Sequence, residues 1–213
     1  MSARCAVMRI GLDFDNTIVS YDVLFHRVAL EQGVIPAGLA PTKLAVRDFL
    51  RRQGREDLWT EMQGYVYGAR MNEALAYPGI IEFLRWARDA GLAVSIISHK
   101  TRYPYAGPRY DLHHAAREWV ASHLKDGGRP LVEPESVFFE LTKEEKIARI
   151  GAAGCDYYID DLPEILLAPE FPAATRGILF DPEGHHEDAA ALLRMSSWGE
   201  ILLYLRQACR TAR

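Results

Sequence analysis

Apolar and polar positions follow two different periods along this chain. Short runs rich in Val, Ile, Leu, Tyr and Phe predict buried strands, near residues 8–14, 92–97, 137–139, 157–159 and 176–180. Between these runs, apolar residues recur every three or four positions, which predicts amphipathic helices, near residues 80–90, 112–124, 143–153 and 197–208. Strands that alternate with helices in this way are typical of an α/β fold with a mostly parallel sheet covered on both faces.

Residues 19–76 interrupt this alternation, because helical spacing continues through them without a convincing strand. Gly and Pro break the segment into several helices, and Thr42 is a candidate cap for the second of them. The pattern therefore predicts an all-helical insertion over residues 19–76, with an α/β core built from residues 1–18 and 77–213.

Composition and charge narrow the class of protein. Hydrophobic residues make up 49% and charged residues 25% of the chain, which is ordinary for a soluble globular protein. The net charge of −4 gives no electrostatic case for binding nucleic acid or an anionic membrane. No apolar run approaches the roughly 20 residues of a membrane span. The N-terminus also lacks a long apolar signal core, and the use of cysteine leads us to expect a cytoplasmic protein.

The three cysteines, Cys5, Cys155 and Cys209, are odd in number and far apart in the sequence. Such spacing indicates reduced thiols and matches neither a disulfide framework nor a zinc site. Cys155 lies just before an apolar strand, which favours a small core residue over a nucleophile.

The first predicted strand runs into two carboxylates, Asp13 and Asp15, followed by Asn16 and Thr17. In a regular strand the side chains of residues i and i+2 share a face, so the two carboxylates would repel each other unless a cation or a shared proton intervenes. Mg²⁺ suits this position because it prefers oxygen ligands. Taken alone, the stretch also fits an ordinary turn after a strand.

Other predicted strands end at polar residues too: Ser98, Glu140, and the pair Asp160 and Asp161. The carboxyl ends of parallel strands meet at one edge of the sheet, where α/β proteins bind their ligands. The acidic pair by itself also fits a solvated helix start, where the helix dipole favours acids.

At this point the sequence resembles the haloacid dehalogenase superfamily, most of whose members are Mg²⁺-dependent phosphatases. The resemblance covers nearly the whole chain. Its motifs, in order along the chain, are Asp13-Phe14-Asp15-Asn16-Thr17, Ser98, Lys146 and Asp160-Asp161. It implies a three-layer Rossmann-like core with a small helical cap inserted after the first strand, and it assigns residues 19–76 to that cap.

The resemblance also implies catalytic roles. Asp13 is the expected nucleophile that forms an aspartyl-phosphate, and Asp15 the expected acid and base. Members of the dehalogenase branch lack an acid at the Asp15 position, so phosphoryl transfer is favoured over dehalogenation. Ser98 is expected to bind a phosphate oxygen, and Lys146 to neutralise charge on the phosphate and the nucleophile. Lys143 is the rival for this lysine.

The expected metal ligands are the Asp13 carboxylate, the Asp15 backbone carbonyl and Asp161, with Asp160 a less certain ligand. Mg²⁺ at these groups would offset the repulsion between an anionic nucleophile and an anionic substrate. Glu164 is a further candidate, as the holder of a metal-bound water.

Substrate binding is expected from Asn16, His99, Lys100 and Arg102, since a cationic loop after the second motif suits a phosphorylated ligand. The expected function is hydrolysis of a small phosphorylated metabolite. Alternatives are a phosphomutase or phosphotransferase of the same superfamily, and a non-catalytic regulatory protein that retains the fold. The motifs select neither a particular metabolite nor an oligomeric state.

Overall fold

The computed structural model describes residues 8–186, 189 and 191–211, and Cys5 lies outside them. The strands in the described residues are, in chain order, β1 (Arg9–Leu12), β2 (Val19–Ser20), β3 (Leu75–Ala76), β4 (Ala93–His99), β5 (Lys125–Asp126), β6 (Arg129–Pro130), β7 (Val137–Glu140), β8 (Tyr157–Asp160), β9 (Arg176–Phe180) and β10 (Leu193–Met195).

The α-helices of the same residues are α1 (Asp22–Glu31), α2 (Lys43–Arg52), α3 (Glu56–Tyr67), α4 (Ile80–Asp89), α5 (Leu112–His123), α6 (Lys143–Ala153), α7 (Pro163–Leu166) and α8 (Trp198–Thr211). Single 3-10 turns occupy Met71–Glu73 and Pro134–Ser136. Within this described part of the chain, every helix is too short or too polar to cross a lipid bilayer.

The chain divides into two compact units. The first contains the residues up to Ile18, Tyr77–His99, and the residues from Leu124 onwards. The second contains Val19–Ala76 together with Lys100–His123.

The first unit is built on one sheet with the strand order β10-β9-β8-β1-β4-β7. Each neighbouring pair is parallel, so the carboxyl ends of these strands lie at the same edge. This arrangement confirms the predicted α/β fold. The sequence pattern did not indicate β10, which has only three residues with the charged Arg194 at its centre.

Helices cover both faces of this sheet. Leu179 and Phe180 are consecutive in β9 and therefore point to opposite faces. Leu179 belongs to an apolar cluster with Ile147 and Ile150 of α6, whereas the ring of Phe180 lies 5.7 Å from that of Trp198 in α8.

Cys155 occupies the cluster that includes Leu179, with only 4% of its surface exposed. Burial raises the pKa of its thiol to about 11, so the reactive thiolate is scarce at neutral pH. A small core residue, as the sequence pattern favoured, fits these surroundings.

The second unit consists of α1, α2, α3 and α5, the turn Met71–Glu73 and a short ribbon. The ribbon pairs β2 with β3 in antiparallel register, although the sequence showed no convincing strand in this block. Two residues per strand are too few to produce a detectable alternation. Residues 100–123, which the sequence analysis assigned to the core segment, fall in this unit, where Trp119 Nε1 donates to the Ala74 carbonyl at 2.9 Å.

Two glycines of the second unit allow the loop before α5 to pack closely against α3. A Cβ atom on Gly64 would lie 2.7 Å from Pro104 Cβ, and one on Gly68 would collide with the Tyr110 side chain. At each position the added Cβ atom would lie closer to its neighbour than a carbon–carbon contact permits. Only glycine therefore fits at these two positions without displacing the loop.

We therefore expect Gly64→Ala to lower the free energy of unfolding by about 1–3 kcal/mol through overpacking. Gly38→Ala is the matched control, because a Cβ atom there meets no atom within 4 Å. Urea denaturation of both variants measures the difference. Equal midpoints for the two variants would contradict the close packing of this loop.

Candidate active site

Asp13 lies at the carboxyl edge of the core sheet, directly after β1. Its backbone N–H donates to the Ile159 carbonyl of β8 at 2.8 Å, which continues the parallel pairing of the two strands past the end of β1. The residue is 3% exposed. The sheet therefore fixes the backbone of this carboxylate and removes the group from bulk water.

Lys146 reaches Asp13 from α6. The side chain of Thr142 accepts from the Glu145 N–H, and the Glu145 carboxylate accepts from the Thr142 N–H, so a capping box starts this helix. One turn into the helix, the fully buried Lys146 Nζ lies 2.7 Å from Asp13 Oδ1 and 2.7 Å from Asp160 Oδ2. The rival Lys143 instead pairs at 2.8 Å with the exposed Glu164.

Asp160 is the last residue of the neighbouring strand β8, and Asp161 follows it. Asp160 is completely buried, and its Oδ1 accepts from the Leu162 N–H at 3.0 Å. Asp161 is half-buried, and its Oδ1 accepts from the Thr17 hydroxyl at 3.2 Å. One carboxylate oxygen from each of Asp13, Asp160 and Asp161 lies within 4.8 Å of the others.

Burial raises the pKa of the Asp160 carboxyl, and the Lys146 ammonium opposes this effect only in part. Burial alone would lower the pKa of Lys146, but the two neighbouring carboxylates outweigh it and raise that pKa. Lys146 therefore remains an ammonium. The cluster as a whole contains three carboxyl groups and one ammonium, so it keeps an excess of negative charge.

This excess, together with a donor set made of oxygen atoms, fits a hard divalent cation such as Mg²⁺. Asp160 is buried and contributes an oxygen to the cluster, although Asp161 was the preferred metal ligand on the sequence alone. Glu164 is not part of the cluster, since its carboxylate is held by Lys143.

A turn follows Asp13 and carries the rest of the first motif. Asp15 is half-buried, and Asn16 adopts a left-handed backbone with φ of 57°, which asparagine tolerates better than most residues do. Thr17 is completely buried, and its carbonyl accepts from Trp198 Nε1 at 3.0 Å. The Thr17 hydroxyl thus connects the turn to Asp161, a supporting contact that the residue's place in the first motif could have suggested.

Ser98 and His99 are the last two residues of β4, which pairs with β1 on one side and β7 on the other. Ser98 is 1% exposed. His99 Nδ1 is buried and has no hydrogen-bond partner within the described residues. Burial, reinforced by the Lys146 ammonium, lowers the pKa of this imidazole and favours its neutral form.

Lys100 and Arg102 belong to the second unit. Lys100 is 6% exposed, and its Nζ lies 4.8 Å from the ring centre of Tyr67. Arg102 is mainly exposed and pairs with Asp111 at 3.2 Å. The four residues expected to bind substrate therefore divide between the units, with Asn16 and His99 in the first.

The sequence matches no known family profile and no curated protein. Several solved structures share the fold. A haloacid dehalogenase family hydrolase from Deinococcus radiodurans R1, with bound phosphate and sodium, aligns with a TM-score of 0.60 and 19% identity over 96% of this chain and 97% of its own. A predicted phosphatase from Clostridium acetobutylicum aligns with a TM-score of 0.59 and 14% identity over 94% and 99%.

An L-2-haloacid dehalogenase aligns with a TM-score of 0.53 and 14% identity over 94% of this chain and 99% of its own. Phosphatases and dehalogenases thus share this architecture, and the likeness specifies the fold without selecting between the two reactions. The chain has the fold of the haloacid dehalogenase superfamily of hydrolases.

Proposed function

We propose that this protein is a Mg²⁺-dependent phosphatase that hydrolyses a small phosphomonoester through an aspartyl-phosphate. The observation that carries the proposal is the cluster of Asp13, Lys146, Asp160 and Asp161 at the carboxyl edge of the sheet. The Lys146 ammonium lies 2.7 Å from Asp13 Oδ1, where it can balance the charge of a carboxylate that attacks phosphorus.

In the first step, an Asp13 oxygen forms a bond to phosphorus while the bond from phosphorus to the leaving oxygen breaks. Asp15 donates its proton to that oxygen, so the product leaves as an alcohol. In the second step, a water oxygen attacks phosphorus and gives its proton to Asp15. The bond from phosphorus to Asp13 then breaks, which returns both carboxyl groups to their starting forms.

The remaining groups of the site bind and orient the phosphate. The Ser98 hydroxyl and the backbone N–H groups of Asn16 or His99 are the proposed donors to its oxygens. Lys146 balances the charge of Asp13 and the transferred phosphoryl group. Asp13, Asp160, Asp161 and the Asp15 carbonyl are the proposed ligands of Mg²⁺, which would supply charge stabilisation to the anionic substrate.

We also propose that the second unit acts as the cap, with residues 19–76 joined by residues 100–123. This assignment follows the family resemblance, in which an insertion after the first strand sets specificity. Lys100 and Arg102 are accordingly proposed to select the substrate, and they do so as members of the cap.

We expect purified protein with Mg²⁺ to release phosphate from p-nitrophenyl phosphate, and EDTA to lower this rate at least about 100-fold, because the carboxylates would then repel the substrate. Excess Mg²⁺ should restore the rate after chelation. A rate that is unaffected by EDTA would contradict the metal assignment. Absence of turnover across a metal-supplemented screen of phosphorylated metabolites would contradict the phosphatase assignment.

Dehalogenation is the second candidate, since an L-2-haloacid dehalogenase shares the fold. Asp15 argues against dehalogenation, because members of the dehalogenase branch lack an acid at that position. Chloride release from L-2-chloropropionate distinguishes the two reactions. We expect none above the rate of Asp13→Asn, and a clear Asp13-dependent release would favour dehalogenation.

A further inference from the structure

The side chain of Tyr158 passes across β1 in the core sheet. Tyr158 is completely buried and lies in β8, directly opposite Gly11 of β1. Its hydroxyl donates to the Ile97 carbonyl of β4 at 2.5 Å. Since β1 lies between β8 and β4, this hydrogen bond connects two strands that are not neighbours in the sheet.

Gly11 makes this crossing possible. A Cβ atom on Gly11 would lie 2.6 Å from Tyr158 Cδ2 and 2.8 Å from Cys155 Sγ, and both distances are shorter than a van der Waals contact. Glycine in a strand often marks such a close approach. The ring of Tyr158 therefore lies directly against β1, two residues before Asp13.

Consecutive residues of β8 contact the two strands that carry Asp13 and Ser98. The Ile159 carbonyl accepts from the Asp13 N–H at 2.8 Å. The Tyr158 hydroxyl binds the carbonyl of Ile97, and this carbonyl shares one planar peptide group with the Ser98 N–H. The strand β8 thus fixes the backbone at Asp13 directly and the backbone at Ser98 through the Tyr158 side chain.

The same ring also contacts the charged part of the site. Its centre lies 5.8 Å from Lys146 Nζ, within the distance over which an aromatic ring attracts an ammonium. The hydrogen bond to Ile97 fixes the orientation of the ring, so the surroundings of Lys146 are fixed with it.

We propose that Tyr158 is a positioning residue for phosphoryl transfer, which holds the end of β4 so that the Ser98 hydroxyl meets the phosphate that Asp13 attacks. This inference rests on the proposed phosphatase function. Tyr158 acts through Ser98 and does not itself touch the substrate. Because a donor stabilises the transition state only while it is held in place, loss of the Tyr158 hydroxyl should slow the reaction more than it weakens binding.

Tyr158→Phe removes the hydroxyl and keeps the ring. We expect kcat for p-nitrophenyl phosphate with Mg²⁺ to fall about tenfold, since misplacing a reacting group by as little as about 1 Å can cost about 100-fold. KM should change less than about twofold, as for an interaction that matters mainly in the transition state. Tyr157→Phe is the matched control and should retain the wild-type kcat, because Tyr157 points to the opposite face of β8, where its ring lies 6.1 Å from that of Tyr204.

A double-mutant cycle with Ser98→Ala separates positioning from a general loss of stability. Ser98→Ala alone should lower kcat about 100-fold, as for the loss of one donor to a developing charge. In that background, Tyr158→Phe should lower kcat by less than about twofold, because the hydroxyl that Tyr158 positions is already gone. Thermal unfolding of each variant defines an assay temperature at which all of them are folded.

The outcomes separate this inference from the proposed function. A wild-type kcat in Tyr158→Phe overturns the inference and leaves the phosphatase intact. Equal fractional losses of kcat in the wild-type and Ser98→Ala backgrounds overturn it as well, since Tyr158 would then act independently of Ser98. Wild type that hydrolyses no phosphomonoester overturns the proposed function, and the inference fails with it.

Discussion

Replacing Asp13 with asparagine is expected to lower kcat for p-nitrophenyl phosphate by about 10⁴-fold or more, the size of loss seen when a nucleophile is removed. The amide has nearly the same shape as the carboxylate, and its oxygen can still accept from Lys146. It carries no negative charge, however, and it does not form the acyl phosphate. The substitution therefore tests the chemistry of Asp13 with little change in packing.

The control for this variant is Asp89→Asn, since Asp89 is an exposed acid at the end of α4. It should retain the wild-type rate. Mass spectrometry of acid-quenched wild type should also detect a phosphoryl adduct at Asp13. Asp15→Asn should be strongly impaired as well, because no group would then protonate the leaving oxygen. Turnover by Asp13→Asn at the wild-type rate would exclude Asp13 as the nucleophile.

The core sheet was predictable because its central strands are buried on both faces. Runs such as residues 92–97 and 157–159 are almost continuously apolar, and that signal is local in the sequence. Since parallel strands share a carboxyl edge, the residues just after them were expected to meet there. The cluster of Asp13, Asp160 and Asp161 lies at this edge, where the ends of β1 and β8 meet.

The features that the sequence did not reveal depend on long-range packing. Residues 100–123 join the second unit through contacts such as the close approach of Pro104 to Gly64, and neither residue signals the other by periodicity. The ribbon of β2 and β3 pairs segments that are more than fifty residues apart. Local sequence patterns do not indicate which distant segments pair with each other.

Local sequence patterns also do not decide between Lys143 and Lys146, although both residues belong to one helix. They are three residues apart, so their side chains lie on the same side of α6. Periodicity places both near the sheet edge, but only the tertiary fold buries Lys146 between Asp13 and Asp160 and leaves Lys143 beside Glu164.

Replacing Lys146 with methionine is expected to lower the free energy of unfolding by about 3–5 kcal/mol, because it leaves buried carboxylates without their counter-charge. Methionine has a similar length, so the loss reflects the missing charge more than a cavity. Lys143→Met is the matched control. Its pair with Glu164 is largely exposed, so we expect a change within about 0.5 kcal/mol. Urea denaturation in EDTA measures both, since a bound cation would otherwise replace the ammonium.

The double variant Lys146→Met/Asp160→Asn tests this explanation directly. If charge repulsion destabilises Lys146→Met, then removing one of the two facing carboxylates should recover at least about 1 kcal/mol, as expected for residues in direct contact. Additive losses would instead point to packing as the cause. Because Asp160 is itself a proposed metal ligand, the double variant measures only the contribution of Lys146 to the folded state. Its contribution to the reaction is measured in the single variant Lys146→Met, without urea and at a temperature where the protein is folded, and we expect that variant to be inactive because Asp13 lacks the ammonium that balances its charge during phosphoryl transfer.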